Sequence, residues 1–246
     1  MLGLTPQIEC CLFDLDGVLT QTAKVHAAAW KKMFDSYLRE RAEARGEGFQ
    51  PFDIAADYTA YVDGKSREDG IRSFLGSRGI VIPDGEPDDS PEASTVHGLG
   101  TRKNALVLEI MEEQGVEPYE GSVRYVEAVR EQGLPCAVVS SSRNCKAVLE
   151  SAGIAHLFDD VIDGNVSIRD GLAGKPAPDT YIAGARSLGF EPPAAVVYED
   201  ALAGVASGRA GGFGLVIGLN RADQAAELAS NGADLVVDDL AELLDK

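Results

Sequence analysis

Short apolar runs recur along this chain, and they constrain its fold more than any other feature. The first, IECCLFD (8–14), is continuously apolar and ends in a carboxylate. A strand covered on both faces has that pattern, because neither side of its pleat can face water. LPCAVVSSS (134–142), DDVIDG (159–164), AAVVYED (194–200), FGLVIGL (213–219) and ADLVVDD (233–239) repeat the theme. Stretches of helical length separate them: NCKAVLESAG (144–153), APDTYIAGARSLG (177–189), ALAGVASGRAGG (201–212) and ADQAAELASNG (222–232). Strands and helices that alternate in this way predict right-handed βαβ units and an α/β, doubly wound parallel sheet of Rossmann-like type. Ligands of such sheets bind beyond the carboxyl ends of the strands.

Between residue 17 and about residue 134 the rhythm breaks, over an interval far too long for one crossover loop. TAKVHAAAWKKMFDSYLRERAEA, SREDGIRSFLGSRG and RKNALVLEIMEEQG within it read as helices, and VIPDGEPDDSPEASTVHGLG (81–100) reads as a loop. The expected organisation is an α/β part over 1–22 and 116–246, with a helical second domain over 23–115 inserted after the first strand.

A formal net charge of −18 argues against nucleic acid and anionic membranes as partners. It also requires any phosphate-handling site to collect its few cations locally. Apolar residues at 45% and charged residues at 25% are ordinary for a globular protein. MLGLTPQIECC lacks the basic and long apolar regions of a signal peptide, and Cys10, Cys11, Cys136 and Cys145 form no CxxC pair. Reduced, mostly buried thiols, a cytosolic location and a monomer or weak oligomer are expected.

Four motifs carry chemistry. In FDLDGVLT (13–20), Asp14 and Asp16 leave the strand end two residues apart, on one side, and Gly17 permits a tight turn. Two carboxylates that close repel unless a hard divalent cation takes their oxygens; the bland alternative is an acidic surface turn. YED (198–200) places Glu199 and Asp200 at a second apolar strand end, where such residues can also serve a following helix. Two acidic strand ends in one parallel sheet meet at the same rim, which favours the cation. In GKPAPD (174–179) the prolines stiffen the presentation of Lys175, a residue that alone would read as solvated. SSSRN (140–144) sets hydroxyls between a strand and a helix, as a phosphate-binding cluster or a simple cap.

The order DxDGxLT, SSS, GKPAPD and ED resembles the four motifs of the haloacid dehalogenase superfamily of phosphotransferases, across the whole chain. The insert resembles the cap of the β-phosphoglucomutase subfamily through TQTAKVHAAAW (20–30), DGKSRED (63–69) and TRKN (101–104). The resemblance implies Asp14 as the nucleophile that becomes an aspartyl-phosphate and Asp16 as the general acid/base. It implies Mg2+ on the Asp14 carboxylate, the Asp16 carbonyl and Asp200, with Glu199 at or beside the metal. Ser140 and Lys175 would hold the transferring phosphoryl group, and Ser142, Arg143 and Asn144 the second phosphate. From the cap, Thr22, His26, Gly64, Lys65, Arg67 and Lys103 would meet a small phosphorylated sugar. Two departures stand out: Ala201 where a serine often follows the acidic pair, and extra cap loop over 43–57 and 77–100.

The physical requirements of phosphoryl transfer agree with this set: an in-line nucleophile, and cations for the spreading oxygen charge. His26 could equally be packed or solvated on its helix, Trp30 reads as cap core, and Lys31 and Lys32 as surface charges. Three functions compete: a phosphomutase interconverting β-glucose 1-phosphate and glucose 6-phosphate through a bisphosphate, a phosphatase of small phosphate esters, and a non-catalytic phosphate sensor. Arg67, Lys103 and Arg143 favour the first, because a mutase must hold two phosphates at once.

Overall fold

The computed structural model describes residues 2–245. It divides into two compact units, one of residues up to Gln21 and from Val116 onward, the other Thr22–Gly115.

The first unit is built on β1 (Cys10–Phe13), β2 (Cys136–Val139), β3 (Asp160–Ile162), β4 (Ala195–Glu199), β5 (Leu215–Leu219) and β6 (Leu235–Val237). The strands run parallel in the order β3-β2-β1-β4-β5-β6. Every residue of β1, β2 and β4 is buried, as their unbroken apolar runs required. Leu12 sits in register with Ala137 on one side and Val197 on the other, while Phe13 pairs with Tyr198 and their rings stack at 4.4 Å. One sheet face buries Leu12, Val139 and Val197 against Tyr181 of α7 (Asp179–Ser187) and Val205 of α8 (Leu202–Ala210). On the other face Tyr125, from α4 (Glu120–Glu131), meets the Tyr198 hydroxyl at 2.8 Å and donates to the Leu2 carbonyl at 2.7 Å. Shorter helices α5 (Cys145–Ser151), α6 (Gly164–Asp170) and α9 (Ala225–Asn231) complete the crossovers.

Strand order turns between β1 and β4, so the crevice such a sheet offers a ligand lies past the carboxyl ends of those two strands. The chain leaves and re-enters this unit along paired segments: the Gln21 N–H donates to the Glu117 carbonyl and the Tyr119 N–H to the Leu19 carbonyl, both at 2.9 Å.

The second unit comprises α1 (Ala23–Arg45), a π-helix (Ile54–Val62), α2 (Arg67–Ser77) and α3 (Val96–Gln114). Its core is aromatic: Phe34 stacks on Trp30 at 5.2 Å and packs on Phe74 at 4.3 Å, and Phe52 meets Phe74 edge-on at 4.9 Å. Two expectations need correction here. Residues 81–100 are not loop throughout, since α3 begins at Val96, capped by the Thr95 hydroxyl on the Gly98 N–H at 3.0 Å. The supposed loop 43–57 runs into the π-helix, which Asp53 caps and Arg78 pins by donating to Asp57, Gln50 and Pro51.

Candidate active site

Asp14 is the first residue past β1, and its N–H extends the ladder by donating to the Tyr198 carbonyl at 3.0 Å. Glu199 ends β4 and Asp200 follows it. Because β1 and β4 are neighbours, the three carboxylates converge: one oxygen from each lies within 4.8 Å of the others, and all three residues are buried. The loop before α7 brings Lys175 among them. Its Nζ donates to Asp14 Oδ1 at 2.5 Å, to Glu199 Oε1 at 2.6 Å and to the Val139 carbonyl at 3.3 Å. Tyr181 lies beneath, donating its hydroxyl to Glu199 Oε1 at 3.1 Å and presenting its ring 4.9 Å from Nζ. Glu199 Oε2 accepts from the Ala201 N–H at 2.9 Å.

Two glycines make room for these acids. A Cβ on Gly17, whose φ is +91°, would lie 1.8 Å from Asp200 Oδ2, and one on Gly204 would lie 1.7 Å from Glu199 Oε1. Asp16 stands half-buried in the turn that Gly17 closes by donating to the Thr20 carbonyl at 2.8 Å.

The electrostatics are unbalanced. Burial pushes the Asp14 carboxyl well above its usual range; Lys175 opposes the rise, and Glu199 and Asp16 add to it. Burial alone would lower Lys175, yet Asp14 and Glu199 outweigh it and hold the ammonium more firmly protonated than usual. One ammonium faces three buried carboxylates, and charge left over in a poorly hydrated site calls for a further cation. The donors are hard oxygens, which suit Mg2+. Cys145 does not alter that donor set: burial, with Asp16 and Asp14 adding to it, raises its thiol far from ionisation.

Ser140 begins the turn after β2, next to the carbonyl that Lys175 reaches. Its Oγ accepts from the Ser142 N–H at 3.1 Å, Ser142 Oγ accepts from the Asn144 N–H at 3.2 Å, and Asn165 donates to the Arg143 carbonyl at 2.9 Å. The serine-rich motif is therefore a pinned turn, and Asn144 makes no side-chain cap to α5.

In the second unit, Lys103 Nζ lies 2.6 Å from His26 Nδ1 and 4.8 Å from the centre of the Trp30 ring, and Lys103 is only 5% exposed. With Lys103 as an ammonium, Nδ1 accepts and the ring proton rests on Nε2. Arg67 donates to Asn104 Oδ1 at 2.8 Å. Lys65 donates to Ser73 at 2.9 Å, and burial lowers its pKa despite Asp69. Gly64 holds φ +71°, and Thr22 is buried at the start of α1 without a side-chain cap bond. The structure thus gathers His26 with Lys103 and Arg67 with Asn104, while Lys65, in the bend before α2, is tied to Ser73 of that helix. Sequence reasoning overlooked Tyr181, Asn104, Arg221 and Gln224. The polar stretch NRADQ directly after the apolar FGLVIGL run was the available signal for the last two.

A model of the haloacid dehalogenase-like hydrolase family matches residues 8–212. Proteins named Beta-phosphoglucomutase from Mycobacterium bovis and Mycobacterium tuberculosis are each 56% identical to this chain, over 99% of it and 94% of their own length. The crystal structure of a β-phosphoglucomutase from Clostridium difficile superposes with a TM-score of 0.72 at 24% identity, covering 96% of this chain and 93% of that one, a likeness of fold. With its family motifs meeting at one sheet rim, the chain belongs to the haloacid dehalogenase-like hydrolase family.

Proposed function

We propose that this protein is a phosphomutase that interconverts β-glucose 1-phosphate and glucose 6-phosphate through an aspartyl-phosphate on Asp14. One observation carries the choice of reaction: 56% identity, over nearly the full length of both chains, to two proteins named Beta-phosphoglucomutase.

Asp14 Oδ attacks the phosphorus of a sugar bisphosphate, the bond from phosphorus to the sugar oxygen breaks, and Asp16 gives that oxygen its proton. In the return step a hydroxyl of the sugar monophosphate attacks the aspartyl-phosphate, the bond from phosphorus to the Asp14 oxygen breaks to free the carboxylate, and Asp16 takes the hydroxyl proton. Lys175, held between Asp14 and Glu199, supplies a fixed positive charge to the phosphoryl oxygens, and Ser140 a hydroxyl. Enzymes of the family typically use Mg2+; here Asp14, the Asp16 carbonyl and Asp200 would hold it, with Glu199 beside it. When bound it neutralises charge on the transferring group. Ser142, Arg143 and Asn144 would hold the sugar's other phosphate, and Thr22, His26, Gly64, Lys65, Arg67 and Lys103 of the second unit would contact the sugar phosphate.

The family's description as a hydrolase favours a second reading, a phosphatase in which water takes the phosphoryl group. Product analysis separates the two. β-Glucose 1-phosphate with Mg2+ and catalytic β-glucose 1,6-bisphosphate should yield glucose 6-phosphate, and removal of Mg2+ should stop it. Free phosphate as the sole product would replace the mutase with the phosphatase.

A further inference from the structure

We infer that Arg221 and Gln224, on the loop after β5, are positioning residues that hold the two acidic strand ends in register for phosphoryl transfer. This rests on the reaction proposed above, and it assigns work to a segment that none of the four motifs includes.

The contacts converge from one short loop onto both halves of the acidic cluster. Arg221 Nε donates to the Gly17 carbonyl at 2.9 Å, across 204 residues of chain. Gln224 Nε2 donates to the Asp200 carbonyl at 2.9 Å, and Gln224 is only 8% exposed. Gly17 immediately follows Asp16: its N–H, in the Asp16–Gly17 peptide, donates to the Thr20 carbonyl at 2.8 Å, and its carbonyl, in the next peptide, is the group Arg221 holds, so the turn that carries Asp16 is anchored on both sides of Gly17. Glycine cannot do this for itself. With φ at +91° and no Cβ, Gly17 needs an outside donor to select one orientation, and a charged donor binds a carbonyl more strongly than a neutral one. The Asp200 carbonyl likewise sets the turn into α8 that aims the Asp200 carboxylate.

The loop is built to be stiff. Arg221 Nη1 donates to the Asp238 carbonyl at 2.7 Å and pairs with Asp239 at 3.5 Å, and the guanidinium covers the Tyr119 ring at 3.7 Å. Asn220 accepts from the Gln224 N–H at 2.7 Å and donates to Asp238 at 2.9 Å. Between the two positioning residues, Asp223 adopts φ +54°, a left-handed conformation that persists only where its surroundings enforce it. Tyr119 belongs to the returning chain segment whose N–H bonds Leu19, so one guanidinium touches the motif loop, that segment and the end of β6.

The experiment compares Arg221→Met, Arg221→Lys and Gln224→Leu with the parent protein by steady-state kinetics. It adds 19F NMR of trifluoroberyllate bound at Asp14 with Mg2+, a mimic of the phosphorylated aspartate, and thermal melts. Arg221→Met should lower kcat roughly 10- to 100-fold with KM within about twofold, as for a misplaced reacting group. Its 19F resonances should shift or broaden, and Arg221→Lys, which can still donate to the Gly17 carbonyl, should recover part of both. Unchanged kcat per folded molecule with a parental 19F spectrum, whatever the melting temperature, overturns the inference. Should Arg221→Met fail to fold, Arg221→Lys and Gln224→Leu decide by the same readouts. A parent that forms no adduct and transfers no phosphoryl group sinks the proposed function, and this inference with it. A parent adduct matched by every variant sinks the positioning role alone.

Discussion

Asp14 must remain an anion in a place that resists anions, and its neighbours show how that is arranged. Lys175 answers Asp14 and Glu199 together, and the remaining negative charge is what a bound cation would relieve. Asp14→Asn therefore has two expected outcomes of opposite sign. Phosphoenzyme formation should vanish, because an amide does not attack phosphorus. Stability in metal-free buffer should not fall, because the amide oxygen still accepts from Lys175 and one unwelcome charge is gone. Calorimetry in chelator checks the second, and a melting temperature lowered by several degrees would contradict the excess-charge account. Gly17→Ala tests the same site from the backbone. Its Cβ would enter the Asp200 carboxylate from a conformation that alanine dislikes, at about 1–3 kcal/mol of strain. The variant should need more Mg2+ for half-maximal activity than the parent, and a Mg2+ titration measures it.

At the scale of elements, two aspartates set strand starts by the same device. Asp159 accepts from the Cys136 N–H at 2.9 Å while its own N–H donates to the Cys136 carbonyl at 2.8 Å, and Asp234 treats Val216 identically. Burial pushes Asp159 up, but the hydrogen bond from Arg130, the Cys136 N–H and the Arg130 charge outweigh it and hold the carboxyl below its ordinary range. A depressed folded pKa gives stability that is full above the unfolded value, about 4, and is lost as pH falls through the folded one. Asp159→Asn should thus cost stability at neutral pH, less than about 1 kcal/mol for so exposed a pair, and nothing once the solution is acid enough to protonate the parent. Melts across that range measure it, and a cost that grows on acidification would have the wrong sign. The strands were legible because runs such as CCLF and AVVYE leave no polar face to expose. The first turn of α3 was not, because Gly98 and Gly100 argue against helix. Packing overrides propensity there: a Cβ on Gly98 would sit 2.3 Å from the Ala93 carbonyl oxygen, and one on Gly100 3.1 Å from Arg67 Cδ. The π-helix IAADYTAYV carries no 3.6-residue period to read. Acidic strand ends announce themselves in sequence, whereas Arg221 earns its place by a contact 204 residues away, which no local pattern encodes.

For the whole molecule, 40 acidic against 22 basic residues create a field that opposes the anionic substrate proposed for it. Attraction and repulsion differ in range. Lys175 works over hydrogen-bond distances inside a buried cluster, where salt screens little, while the surplus of −18 acts through solvent. Raising monovalent salt from about 0.01 M to 0.1 M shortens the screening length from roughly 30 Å to 10 Å, which removes the distant repulsion first. With Mg2+ fixed, kcat/KM should therefore rise over that interval while kcat stays level, because encounter is what the field hinders. The slope should be steeper for a sugar bisphosphate than for a monophosphate, since the former carries about twice the charge into the same field. Initial rates at several salt concentrations measure both slopes. A kcat/KM that falls from the lowest salt onward, more steeply for the bisphosphate, would mean that the local cations already govern the approach and that the net charge is felt only elsewhere on the surface.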